Sequence, residues 1–201
     1  MNKEFWLLKT FKTIGLALIL GASLTACGAG SEKWKEEVQL SDGKVIVVER
    51  ELIREGGGDE WANNSSLSKP KEYRIQFTYP NDSKKMIEWH SIKKSPQTWP
   101  EMPLVLDVLQ GKLVVFSTVY KAGGVCQIYS KYAYQNGVWV EEKLSPTFEQ
   151  RTTNLFVTGN GDAIKSFVDL KTKQAIINEH GGVYPYASYD QVGPKNPNCR
   201  G

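Results

Sequence analysis

Residues able to carry out chemistry are few in this chain, which has two histidines. A Ser-His-Asp triad would need His90 or His180 as its base. His90 follows Glu88 and Trp89 in an alternating segment, on its polar side, which favours an exposed strand position. His180 precedes two glycines, which favours packing at a helix end. Neither HExxH nor GxSxG occurs, so we assign no catalytic residue and predict neither a metal nor a cofactor.

Two carboxylates define the enzymatic alternative. Asp107 interrupts the apolar run "PLVLDVLQG", where burial would raise its pKa and make it a functional candidate. A position facing the turn and solvent is the other outcome for Asp107. An envelope hydrolase acting on glycan or peptide would use such acidic residues, for example Asp107 with Glu149. Glycoside cleavage would need two carboxyl groups about 5–10 Å apart across a cleft.

The first 26 residues have the layout of a signal peptide. Three lysines outweigh one glutamate within "MNKEFWLLKTFK", and the next 14 residues, "TIGLALILGASLTA", carry no charge. A mature transmembrane helix needs about 20 apolar residues, so this run is too short to span a bilayer. We therefore expect residues 1–26 to be cleaved.

The residues at the cleavage point resemble a known motif. Leu24-Thr25-Ala26-Cys27 is similar to the lipobox of bacterial lipoproteins. This resemblance implies that Cys27 is alkylated with diacylglycerol, becomes the new N-terminus and holds the protein at the cell envelope as a lipoprotein. Gly28 in place of aspartate implies the outer membrane, facing the periplasm, if the host is Gram-negative. Residues 27–33 are then expected to be a flexible tether, followed by one globular domain over 34–201.

The same interpretation predicts the bonding state of the other two cysteines. Lipidation of Cys27 leaves Cys126 and Cys199, and export places them in an oxidising compartment where a disulfide is expected. The bridge would hold the tail "GPKNPNCRG" against the domain, since such tails fray when nothing ties them down. Two unpaired thiols are the alternative.

The net charge of the mature domain limits the classes of partner that it can bind. Loss of residues 1–26 removes three lysines and one glutamate, so the formal charge falls from +3 to +1. A near-neutral domain lacks the basic surface that nucleic acids need. The domain start, "WKEEVQLSDGKVIVVERE" with "REGGGDEWA", also resembles proteobacterial envelope lipoproteins to which no catalytic residues are assigned.

Aromatic residues offer a candidate binding surface for an envelope protein or glycan. Trp61 lies in a polar segment and Trp99 in the proline-rich "SPQTWPEMP", while Tyr184 and Tyr186 lie in "VYPYASYD". Exposed Trp and Tyr side chains supply contact area at low entropic cost. Packing over the ends of the domain is the alternative role for each.

Alternation with a period of two predicts a mainly β domain. Segments such as "EYRIQFTYP" and "MIEWHSI" place their apolar residues on one face, and Asp42-Gly43, Gln110-Gly111 and Asn136-Gly137 mark tight turns. The turn at Asn160-Gly161 predicts a further hairpin, and the apolar runs around Gln110 predict strands at the middle of a sheet. Residues 54–72 are expected to form a long loop, and Asp169 to Gly182 a helix. Together, these strands, turns and helix predict an antiparallel meander that forms a sandwich or curled sheet with a small C-terminal helix.

Overall fold

The computed structural model describes residues 30–55, 69–79, 82–95, 99–120, 127–145, 147–157, 165–180 and 191–193. Six residues singled out by the sequence lie outside these ranges: Cys27, Trp61, Cys126, Tyr184, Tyr186 and Cys199. The same holds for the predicted turn at Asn160-Gly161.

The first sheet has five strands in the order β10-β1-β2-β3-β4. Four of them form an antiparallel meander, and the two-residue β10 pairs in parallel with β1. Period-two alternation holds along each long strand, so one face is apolar and the other charged. The strands are β1 Ser31–Gln39, β2 Val45–Glu55, β3 Lys69–Tyr79, β4 Asp82–His90 and β10 Phe167–Val168.

The second sheet is a four-stranded antiparallel meander in the order β5-β6-β7-β8. The apolar run around Gln110 forms β5 and β6, as predicted, but β5 lies at the edge of this sheet and not in its middle. The outer edge of β5 is covered by a later segment, in which the Asn154 side chain bonds to the backbone of Leu106. The strands are β5 Met102–Leu109, β6 Lys112–Tyr120, β7 Gln127–Gln135 and β8 Val138–Glu142.

Two apolar clusters hold the sheets in place. The larger one joins the apolar face of the first sheet, including Trp34 and Trp89, to Leu106, Val115 and Tyr132 of the second. The smaller one lies on the other side of the second sheet and contains Leu104, Val105, Val114, Phe116, Ala133, Val157 and Val192. The mainly β fold, with two packed sheets and a small C-terminal helix, is therefore confirmed.

Tight turns join neighbouring strands where the sequence predicts them. Gln110-Gly111 and Asn136-Gly137 both have positive φ at their two central residues, with values of 51°, 77°, 50° and 89° in chain order. This pair of left-handed residues is the type I′ pattern that matches the twist of a hairpin. Asn adopts the left-handed region more readily than Gln, so the first turn carries more strain than the second.

Several boundaries differ from the sequence prediction. Both ends of the predicted loop, residues 54–72, belong to strands, because β2 extends through Glu55 and β3 begins at Lys69. Residues 56–68 lie outside the described ranges. Residues 31–33, expected in the tether, are the first residues of β1. Phe167–Val168 do not return in a hairpin but pair in parallel with β1, on the side of β1 away from β2.

The C-terminal part of the described chain contains one helix, α1, Leu170–His180. Asp169 caps it, because its Oδ1 accepts a hydrogen bond from the Thr172 amide at 2.6 Å. Hydrogen bonds from Thr172 hold the pKa of Asp169 below its usual value. Two further short strands, β9 Arg151–Thr152 and β11 Gln191–Val192, pair with each other. Within the described ranges, no helix has the length and apolar character needed to cross a bilayer.

Candidate functional site

A buried carboxylate on β1 contacts two segments that lie more than 100 residues later in the chain. Glu36 is fully buried, and its Oε1 accepts a hydrogen bond from the guanidinium of Arg50, which is also buried. Its Oε2 accepts from the Phe156 amide at 2.7 Å and pairs with the ammonium of Lys173. Strand alternation explains the position, since Glu36 lies between Trp34 and Val38 on the apolar face of β1.

Lys173 inserts from helix α1 into this polar centre. Its Nζ donates to the backbone oxygens of Glu37 and Asn154, the latter at 2.7 Å, besides pairing with Glu36. Burial lowers the pKa of Lys173, although the charge of Glu36 opposes this shift. A lysine with a lowered pKa is a potential base or nucleophile. Here the three acceptors occupy its ammonium, so its contacts are those of a structural cross-link.

Two donors in the same cluster have no hydrogen-bond acceptor among the described residues. They are the indole Nε1 of Trp34 and the Nε of Arg50. The guanidinium of Arg50 lies over the Trp34 ring, with 5.1 Å from Cζ to the ring centroid. This cation–π contact stabilises the positive charge of Arg50, which shares the carboxylate of Glu36 with Lys173.

A second buried carboxylate, Glu101, lies immediately before β5. Its Oε1 accepts from the amides of Ile92 and Lys93, at 2.9 and 3.1 Å, and its Oε2 accepts from the Ser117 hydroxyl at 2.7 Å. The Tyr132 hydroxyl lies 3.0 Å from both oxygens. Burial, with the charge of Glu101 next in importance, raises the pKa of Tyr132. Glu101 thereby fixes the connection between the two sheets.

The carboxylates of the hydrolase alternative lie around one arginine. Asp107 is buried, not turned to solvent, and its Oδ1 accepts from the amides of Ser41 and Val108 at 2.9 and 2.8 Å. Arg151 lies 3.9 Å from Asp107 Oδ2 and 3.3 Å from Glu149 Oε2. Both acids therefore face a guanidinium, and Asp107 acts as a hydrogen-bond acceptor between the sheets.

The outer face of the first sheet carries a pocket of about 280 Å³. Opposite charges pair across the strands that form it: Lys33 lies 3.2 Å from Glu51, and Lys35 lies 2.8 Å from Glu49. Phe167, 45% exposed, is the register neighbour of Lys35. The lining residues are Lys33, Trp34, Lys35, Glu49, Arg50, Glu51, Arg74, Gln76 and Ser166. Four of these residues are basic and two are acidic, but each basic side chain already has a carboxylate partner, with Glu36 serving Arg50 and Glu72 serving Arg74. The pocket therefore suits a polar, uncharged ligand better than an ion.

The residues singled out by the sequence do not converge on this pocket. Trp99 is half-buried in the connection between the sheets, where its amide and carbonyl both bond to Ser95, at 3.1 and 2.8 Å. His90 is exposed at the end of β4, in register with Arg74. No group of three or more His, Cys, Asp or Glu side chains suited to a metal ion occurs within the described ranges.

Sequence reasoning missed Glu36, Arg50, Glu101 and Lys173. A signal was present for the first two, because alternation places Glu36 and Arg50 on the same strand faces as Val38 and Leu52. Their contact is diagonal in the β1–β2 hairpin, where the register places Arg50 opposite Trp34 and Glu36 opposite Val48. Lys173 had no such signal, since Glu36 and Glu37 lie more than 130 residues earlier in the chain and Asn154 contributes only a backbone oxygen.

Comparison of the chain with protein-family models, curated proteins and solved structures finds no match in any of the three.

Proposed function

We propose that this protein is a lipid-anchored envelope protein whose folded domain binds a partner, protein or glycan, without chemical conversion. The observation that carries the anchor is the order of Leu24-Thr25-Ala26-Cys27 after a basic and then an apolar segment. The start of β1 at Ser31 supports it, because a folded body begins four residues beyond the expected lipidation site.

The pocket on the outer face of the first sheet supports the binding role. Each of its charged side chains already has an ion-pair partner, so a ligand would exchange water for hydrogen bonds without desolvating an isolated charge. The exposed ring of Phe167 beside Lys35 adds an apolar surface of the kind on which a sugar ring or a protein side chain packs. Polar groups around an aromatic surface favour a glycan or a polar protein segment.

The anchor is tested by the intact mass of the protein extracted from membranes. We expect loss of residues 1–26 and the added mass of a diacylglycerol-based lipid. Cys27→Ser should release the domain or leave the precursor uncut, whereas the matched variant Cys126→Ser should stay anchored. Mature, membrane-bound Cys27→Ser protein would contradict lipidation. Non-reducing peptide mapping should also find Cys126 linked to Cys199, and two free thiols would refute that bridge.

The binding role is tested by crosslinking and co-purification from envelope extract. Gln76→Ala, within the pocket, should lower partner recovery, whereas Thr78→Ala on the same exposed face of β3 should not. Trp61→Ala and Trp99→Ala test the aromatic surface predicted from the sequence in the same assay. Unchanged recovery with Gln76→Ala would remove the pocket from the proposal. Release of a cleaved glycan or peptide by purified protein would favour the hydrolase alternative.

A further inference from the structure

The outer face of the first sheet carries half of the large apolar side chains that are exposed among the described residues. Val45, Val47, Met86 and Phe167 are between 45% and 66% exposed. They point outward because the residue that follows each of them packs into the core between the sheets. The other half is spread over β7, β8 and the segment after β4, and consists of Ile92, Ile128, Val138 and Val140.

Strand register arranges the outward side chains in rows that cross the sheet from β1 to β4. Successive rows are two residues apart along each strand, about 7 Å. Each charged row begins with a lysine on β1 and ends with an acid or an imidazole on β4. Three consecutive rows are Glu37-Val47-Thr78-Met86, Lys35-Glu49-Gln76-Glu88 and Lys33-Glu51-Arg74-His90.

We infer that the partner bound on this face is a second copy of the chain, an inference that rests on the binding role proposed above. Two copies pack face to face about a two-fold axis that runs parallel to the strands, between β2 and β3. Each row then lies over the same row of the partner in reverse order. Such an interface is isologous, so every contact occurs twice.

The charged contacts of this arrangement join unlike groups. Lys35 lies opposite the partner's Glu88, and Glu51 lies opposite the partner's Arg74. Within one chain Glu51 and Arg74 lie 3.7 Å apart, so the interface joins two such pairs into a network of four charges. No two like charges are opposed among the paired outward residues of β1 to β4. The other contacts are Glu49 with Gln76, Lys33 with His90, Val47 with Thr78, Glu37 with Met86, Glu55 with Lys69, Ile53 with Glu72 and Gln39 with Lys84.

Charge and the proposed anchor both select the direction of the axis. An axis across the strands would lay β1 over the partner's β1, with Lys35 near the partner's Lys33 and Glu49 near the partner's Glu51. It would also send the two Ser31 residues, where β1 begins, to opposite ends of the dimer. An axis along the strands keeps both at one end, so both proposed lipids reach the same membrane.

The size of the face fits a weak dimer. Four strands about 4.8 Å apart, with rows spread over about 30 Å, give roughly 600 Å² on each copy and about 1,200 Å² in total. That area is the lower limit of specific interfaces, and most of these contacts are polar. We therefore expect a dimer that dissociates in the micromolar range in solution and is favoured on a membrane, where anchored copies are concentrated.

Reciprocal charge reversal tests the arrangement in sedimentation of the purified full-length protein. Aligned sheets cross at about 30°, so contacts nearest the axis, such as Glu51 with Arg74, keep their alignment best. Glu51→Arg alone or Arg74→Glu alone opposes like charges at both symmetry-related contacts and should weaken dimerisation at least about tenfold. An equal mixture of the two variants opposes unlike charges at both contacts and should dimerise within about threefold of the unsubstituted protein. The control Lys112→Glu, on the second sheet, should change nothing.

Zero-length crosslinking tests the same interface without any substitution. A carbodiimide joins an amine to a carboxylate that touches it, and Lys35 and Glu88 lie three strand spacings apart in one chain, roughly 14 Å. A mixture of isotope-labelled and unlabelled full-length protein in phospholipid vesicles should therefore give Lys35–Glu88 peptides with one labelled and one unlabelled half. The internal control is Lys35 with Glu49, which lie 2.8 Å apart in one chain and should crosslink without mixing of isotopes.

The outcomes separate this inference from the proposed function. Protein that stays monomeric at about 0.5 mM, without mixed Lys35–Glu88 peptides, refutes the dimer. The proposed function then stands if the mass includes the lipid and Gln76→Ala still lowers recovery of another partner. Protection of Lys35 from amine labelling by a neutral oligosaccharide, in a monomer, indicates a glycan in place of the second copy.

Two results concern the dimer itself. A dimer that the mixed variants fail to restore, although circular dichroism shows each variant folded, refutes the arrangement about this axis. Dimerisation with mixed Lys35–Glu88 peptides, in protein whose mass lacks the lipid, supports the interface and refutes the anchor.

Discussion

Replacing Lys173 by methionine is expected to destabilise the domain by about 3 kcal/mol. Methionine keeps most of the stem volume of lysine, so the change removes the ammonium and leaves the packing largely intact. The backbone oxygens of Glu37 and Asn154 each lose a donor, and Glu36 loses one of its two cations. An unsatisfied buried acceptor costs about 1–3 kcal/mol, and removing a desolvated ammonium offsets part of the sum.

Urea unfolding of the purified protein, followed by tryptophan fluorescence, measures this loss. With an m-value of about 2 kcal/mol/M, a loss of 3 kcal/mol lowers the midpoint by about 1.5 M. The matched control is Lys171→Met, an exposed lysine on the same helix, which should shift the midpoint by less than about 0.3 M. An unchanged m-value confirms that stability, and not the compactness of the unfolded state, has changed.

A double-mutant cycle isolates the ion pair itself. Glu36→Gln alone leaves Arg50 and Lys173 buried without a carboxylate, so it should cost more than Lys173→Met. The two changes together should cost less than their sum by at least about 1 kcal/mol, because each removes the partner of the other. Equal midpoints for Lys173→Met and Lys171→Met, or strict additivity in the cycle, would refute the role given to this lysine.

Three further changes test other buried contacts. Tyr132→Phe should lower the free energy of unfolding at pH 7. Because the pKa of Tyr132 is raised in the folded state, the unsubstituted protein loses stability above the unfolded tyrosine pKa, so the difference between the two proteins should shrink above pH 10 by about 1.4 kcal/mol per pH unit in urea titrations. Parallel plots of unfolding free energy against pH for the two proteins would contradict this. Glu101→Ala should lower the urea midpoint more than Glu101→Gln, which keeps an acceptor and lets Ser117 turn; equal losses would count against the network. Gln110→Asn should raise the unfolding free energy by up to about 1 kcal/mol, and Asn136→Gln should lower it by a similar amount. Unchanged unfolding free energies for both variants would contradict the left-handed strain assigned to these turns.

Local patterns were sufficient to predict most of the meander. Alternation and turn chemistry act between residues close in sequence, so the hairpins centred on Asp42-Gly43, Gln110-Gly111 and Asn136-Gly137 could be placed without knowing the rest of the fold. Asp169 likewise marked the start of α1, because a cap needs only the next turn of chain.

Pairings between distant segments were not predictable in this way. Phe167–Val168 join β1 about 130 residues earlier, and nothing in "SFVD" distinguishes that partner from a nearer strand. The edge position of β5 depends on Asn154, whose side chain satisfies the amide and carbonyl of Leu106 at 3.0 and 2.8 Å. A single asparagine in an irregular segment carries no pattern that identifies the strand it will cover.

The separation of Glu36 from its partners also constrains how the chain matures. Any synthesis or export that proceeds from the amino terminus delivers Glu36 long before Phe156 and Lys173, which follow 120 and 137 residues later. Until those residues arrive, closing the two sheets would trap a carboxylate with Arg50 as its sole companion. Closure of the two sheets around Glu36 is therefore favourable only once residues from the last quarter of the polypeptide are present.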